Sequence, residues 1–130
     1  MTFIISLIFI LHGFVHLLYF GQSRRYFELQ PGMIWPDDSW LFARFLNQSS
    51  NRSLAGTACL LAAAGFLTGG IGLLYIQAWW HSLILGSAGL SILIFLLFWD
   101  GKWQKLADKG AIGLLINFVI IYVNIVYLSA

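Results

Sequence analysis

Charge is what this sequence has least of. Only 9% of its 130 residues are Asp, Glu, Lys or Arg, against about 25% in a typical soluble domain. All of them fall within 24–52 and 100–109. The deficit excludes an ordinary water-soluble domain. The absence of any contiguous basic block leaves nothing to bind nucleic acid. A single cysteine, Cys59, excludes an internal disulfide and any paired-cysteine metal or redox motif; lying in an apolar run, it reads as a small packing residue. Acidic residues are missing from every long apolar run, so a metal site inside one would be short of ligands.

What remains is hydrocarbon. Mean hydropathy is +0.85, and 13 glycines and six tryptophans suit membrane helices and the lipid–water boundary respectively. A hydrocarbon core of about 30 Å takes about 20 apolar helical residues. Stretches of that kind run over roughly 2–20, 54–76, 79–99 and 111–128. The expected fold class is all-α: a four-transmembrane-helix bundle forming a single integral membrane domain, 1–130, with spans two and three joined as a tight hairpin. Span one lacks a charged leading segment, its apolar run is too long for a signal sequence, and no A-x-A-like site follows, so it is expected to stay in the protein.

Arg24, Arg25, Arg44 and Arg52 lie between spans one and two, and Lys102, Lys105 and Lys109 between spans three and four. All seven basic residues therefore share one side, which the positive-inside rule assigns to the cytoplasm. Loops 21–53 and 100–110 are then cytoplasmic, both termini lie on the non-cytoplasmic side, and the expected location is a bacterial cytoplasmic (inner) membrane. In the first loop, Asp37, Asp38 and Ser39 are placed to cap a short helix whose apolar side would be Trp40, Leu41, Phe45 and Leu46. That helix is expected to lie along the leaflet surface with Arg44 toward water or phosphate, as a passive anchor or as a lid over a cavity. In "WDGKWQKLADKG", Asp100-Gly101 forms a turn, Trp99 and Trp103 sit at headgroup level, and the lysines face anionic lipid. Asp100 and Asp108 read as solvated charges.

The polar residues inside the spans carry the functional question. His12, His16 and Tyr19 share one face of span one, since steps of four and three return to the same side. Gly110, Gly113, Asn117 and Asn124 make a comparable stripe in span four. Such stripes avoid lipid, so His12, His16 and Asn117 should point into the bundle. Counted from the inner boundary, His16 lies roughly 6 Å deep, Cys59 about 8 Å, Asn117 about 9 Å, and His12 and Ser91 about 12 Å. These five can share one layer, whereas His81 lies roughly 27 Å deep, at the opposite face. A charged imidazole near the bilayer centre costs at least ~3 kcal/mol, so the pair is expected to be neutral.

Two uses of that layer stay open. In one, His12, His16, Tyr19, Asn117 and Ser91 bind a carbonyl-bearing apolar ligand, a quinone or lipid, or else a partner helix. In the other, His12 and His16, the only metal-ligand candidates within one protomer, serve a haem- or metal-dependent redox protein. An i, i+4 pair projects from one side of one helix, so both cannot ligate one haem iron; a second subunit would have to supply the other axial ligand. Cis coordination of a transition metal is geometrically open to them. Gly65, Gly69 and Gly72 are candidate contacts for a homo-oligomer or a membrane partner subunit.

"HGFVH" in span one, "WPDDSW" in the first loop and "WDGKWQKLADKG" before span four resemble a group of small bacterial four-helix membrane proteins that open with H-G-x-x-H. The resemblance implies the same four-span architecture, and no catalytic role attaches to those motifs. In size and span number the chain is also similar to DoxX-like proteins, some of which are linked to quinone-coupled sulfur oxidation. Taken together, the sequence points to a small, non-enzymatic membrane protein.

Overall fold

An apolar run with no water to hydrogen-bond its backbone must satisfy N–H and C=O groups within itself, and a helix does so. In a computed structural model describing residues 1–104, 106 and 110–128, with the Tyr127 side chain set apart, the chain is all-α. Its helices are α1 (Thr2–Ser23), α2 (Gln48–Leu74), α3 (Trp80–Leu97) and α4 (Ala111–Val123). The first three are long and apolar enough to cross a membrane; α4 is a shorter apolar helix that continues as a π-helical turn over Asn124–Leu128. Lys105, Asp108 and Lys109, which the topology and surface-loop expectations include, lie outside the described residues.

Each helix packs on its neighbour in sequence. Small residues on α2 let its backbone approach the others. A Cβ at Gly69 would fall 2.7 Å from the Ile84 side chain, and one at Gly72 would fall 2.6 Å from the Trp79 ring. At Gly65 it would collide with the Ser87 hydroxyl. The three glycines read as oligomer contacts are thus spent inside the protomer, against α3 and the residue before it. Ser6 on α1 adds a hydrogen bond to the Gly70 carbonyl.

The helix ends show why the chain turns where it does. Asn47 accepts a hydrogen bond from the Ser50 N–H at 2.8 Å, an N-cap that starts α2 six residues ahead of the apolar run read from sequence. Gly110 precedes α4 at φ +87, with the Phe95 ring where a Cβ would stand; both demands select glycine.

The first loop differs from its expected form. Ser39 does cap, accepting from Leu41 N–H at 3.3 Å and Phe42 N–H at 3.0 Å. The helix that follows is one 3-10 turn, Phe42–Arg44, and Trp40 and Phe45 remain exposed. The cause lies in the last carbonyls of α3, which have no partners of their own within the helix. Ser39 Oγ donates to the Leu97 carbonyl, Trp40 Nε1 donates to the Leu96 carbonyl at 2.7 Å, and Trp40 N–H donates to the Trp99 carbonyl at 2.8 Å. Pinned in this way, the segment cannot wind on as an amphipathic helix.

Upstream the loop dives inward. Met33 and Trp35 are buried in one apolar cluster with Cys59, Ile94, Phe95 and Phe98. Gln22 Nε2 donates to the Met33 and Trp35 carbonyls at 3.1 and 3.2 Å, and its Oε1 accepts from the Leu29 N–H at 2.9 Å. The loop is therefore a strap folded over the arginine-bearing end of the helices, with two side chains inserted between them.

Candidate functional site

Helical periodicity stacks His12 and His16 on one face of α1, and α3 and α4 bring Ser91 and Asn117 against them. All four are buried. His16 Nδ1 lies 3.0 Å from the His12 carbonyl. A carbonyl only accepts, so Nδ1 carries the proton, and the opposite nitrogen of a neutral ring must accept. It does: Nε2 lies 2.6 Å from Ser91 Oγ, which donates to it. Asn117 Nδ2 donates both to Ser91 Oγ at 2.6 Å and to the Gly113 carbonyl at 2.9 Å. The Gly113 carbonyl fixes which end of the amide is nitrogen. Asn117 Oδ1 is then the acceptor for His12 Nε2–H at 3.1 Å.

These bonds close on themselves. Donation runs from His12 to Asn117, to Ser91, to His16 and back to the His12 backbone. The circuit joins three helices, runs in one direction only, and cannot reverse, because the His12 carbonyl has no proton to give. It works only with the His16 imidazole neutral. A proton added at His16 Nε2 would face the Ser91 hydroxyl as a second donor and strip that hydroxyl of its acceptor. In a low-dielectric interior a fully satisfied network rigidifies the elements it joins, whereas a partly satisfied one is costly.

Aromatic side chains wall the circuit. The histidine rings stand edge to face, with centroids 4.9 Å apart. Phe66 of α2 lies 4.7 Å from His12 and 5.3 Å from His16, and Phe95 lies 6.1 Å from His16. Sequence reasoning missed both phenylalanines; nothing distinguishes them from the many other apolar residues of their helices except their place in the packed bundle.

The other expected site members separate. Tyr19 takes no part in the circuit; its ring packs between Trp35 at 5.2 Å and Phe95 at 5.0 Å, drawn there by the inserted strap. Cys59 is buried in the apolar cluster beside Met33 and Trp35. His81 meets the Asn124 backbone carbonyl at 3.3 Å, ten residues, or about 15 Å of helix, from Ser91. Among the described residues no group of three His, Cys, Asp or Glu is placed to hold a metal ion. With both His16 nitrogens engaged, His12 Nδ1 is the one ring nitrogen of the pair without a hydrogen-bond partner among the described residues.

Phe95 also links the circuit to open space. An apolar cavity of about 270 Å³ lies between the end of α3 and the start of α4, lined by Phe95, Leu96, Trp99, Trp103, Gly110 and Leu114 among others. It is close in size to the smallest pockets that hold organic ligands, roughly 300 Å³. Set against known protein families, curated proteins and solved structures, the chain matches none.

Proposed function

We propose that this chain is a four-span protein of a bacterial inner membrane, with both termini outward, whose role is to bind an apolar ligand, a quinone ring or a lipid chain, rather than to catalyse. Several features support the four-span reading. The π-helical turn carries α4 to Leu128, so that with its 13 α-helical residues it covers 18 positions, about 27 Å at helical rise. Among the described residues, the arginines and Lys102 all stand at the end where α1 and α3 finish and α2 and α4 begin.

One observation carries the binding reading. The polar layer is closed on itself, while Phe95, in ring contact with His16, forms a wall of an apolar cavity. The circuit then acts as a frame that fixes the Phe95 wall, and the ligand is held by apolar contact. A protein isolated in mild detergent should retain a quinone or lipid detectable by native mass spectrometry. Leu114→Trp, which fills the cavity, should lose it. Retention of the same molecule by that variant would end the proposal.

A redox reading has one feature in its favour, the open Nδ1 of His12, which could serve as one axial ligand of a haem shared between two copies. A Soret band in the purified protein, lost in His12→Ala, would establish that reading and displace the first.

A further inference from the structure

Three arginines meet at the junction of α1 and α2, and one carboxylate serves two of them. Asp37 Oδ1 takes Arg25 Nη2 at 2.5 Å and Arg52 Nη1 at 3.1 Å. Both terminal nitrogens of Arg25 are occupied, since its guanidinium also donates to the carbonyls of Met33, Ile34 and Trp35. Arg52 uses one donor on Asp37. Arg24 pairs with no acidic side chain among the described residues; its guanidinium lies over the Phe20 ring, 5.5 Å from the centroid.

Arg24 and Arg52 stand on one patch. The Nε of Arg24 is 3.5 Å from where a Cβ on Gly56 would be, and Arg52 lies one turn before Gly56 on the same helical face. The patch carries more positive charge than Asp37 neutralises. The first turn of α2 adds its partial positive charge. The Phe20 ring beneath the Arg24 guanidinium adds apolar surface beside it.

We propose that Arg24 and Arg52 bind the phosphodiester of an anionic phospholipid, whose acyl chains run down the apolar helices α1 and α2 from that end. Guanidinium groups match phosphate oxygens in bidentate geometry. The place, at the end of membrane-length apolar helices, is where a headgroup sits and a soluble anion does not. Arg44, also exposed on the first loop, shares no ion pair with Asp37 and serves as a control of equal charge. The proposal rests on the membrane-spanning reading, which fails separately if the chain stays soluble without detergent.

The test uses full-length protein in mixed micelles, titrated with phosphatidylglycerol or phosphatidylcholine and read by native mass spectrometry. The wild type should bind phosphatidylglycerol preferentially. Arg24→Gln and Arg52→Gln should each weaken that binding about fivefold, the equivalent of ~1 kcal/mol per basic residue at a lipid surface. Arg44→Gln should leave it unchanged. Arg24→Lys, which keeps the charge, should retain most of the binding and so separates loss of lipid from loss of fold. Equal binding of the two lipids overturns the proposal. So does an Arg44→Gln loss as large as that of Arg24→Gln. Displacement of the lipid by millimolar inorganic phosphate would assign the patch to a free anion instead and overturn it too.

Discussion

Two polar assemblies hold this molecule, and they obey different rules. The circuit of His12, Asn117, Ser91 and His16 lies in the apolar interior and contains no Asp, Glu, Lys or Arg. The clasp of Gln22, Arg25 and Asp37 lies at the arginine-bearing end and is charged. In the interior, every donor must meet an acceptor because nothing else will replace it. At the end, solvent can complete whatever the protein leaves open, so the clasp can carry surplus charge. The contrast teaches that burial decides what a polar group is for: closed assemblies fix helices, open ones remain free to bind.

The comparison breaks most readily at Asn117. Asn117→Leu removes two members' partners at once, His12 Nε2–H and the donor to Ser91, and should destabilise the protein by roughly 3 kcal/mol, given about 1–3 kcal/mol for each buried group left unsatisfied. Thermal unfolding in detergent measures this; a loss below about 1 kcal/mol, nearer the average worth of a single interhelical bond, would mean the circuit does not act as a unit. A sharper test is the double-mutant cycle of Ser91→Ala with His16→Ala. These residues bond at 2.6 Å, so the cycle should show coupling of about 1 kcal/mol, and additivity would separate them.

The clasp should give less and respond to salt. Asp37→Asn deprives both arginines of their shared carboxylate and should cost about 1 kcal/mol. The loss should shrink when wild type and variant are compared at high ionic strength, where exposed charges are screened; the Asn117→Leu loss should not change with salt. Smallest of all, Arg24→Gln should shift stability by less than about 0.5 kcal/mol, since Arg24 pairs with no acidic side chain among the described residues.

The circuit was legible in the sequence to the extent that it depends on period and depth. The i, i+4 spacing of His12 and His16, and counting Ser91 and Asn117 to similar depths, bring the four residues to one layer, because helical rise is fixed. The same period sets Tyr19 on the His12 and His16 face but says nothing of what its ring meets. Its face was right, but the residues that meet it, Trp35 and Phe95, come from the inserted strap and from another helix. The first loop departs from its expected form for a related reason: of Asp37, Asp38 and Ser39 only Ser39 caps, and the unsatisfied carbonyls at the end of α3, nearly 60 residues away, prevail over the continuation of a helix. The glycines at 65, 69 and 72 pack inside the protomer, a use that the sequence does not separate from contact with another chain, because close approach leaves the same signature in both.

By itself, the sequence determined that the chain is helical and suited to a membrane, since apolar length and scarce charge leave the backbone no other way to satisfy itself. It also determined which polar residues share a helix face and a depth. Only the tertiary structure decided that those residues consume one another's hydrogen bonds, that the loop enters the bundle, and that one carboxylate serves two arginines. Such pairings depend on distances across elements far apart in the chain, which no local period encodes.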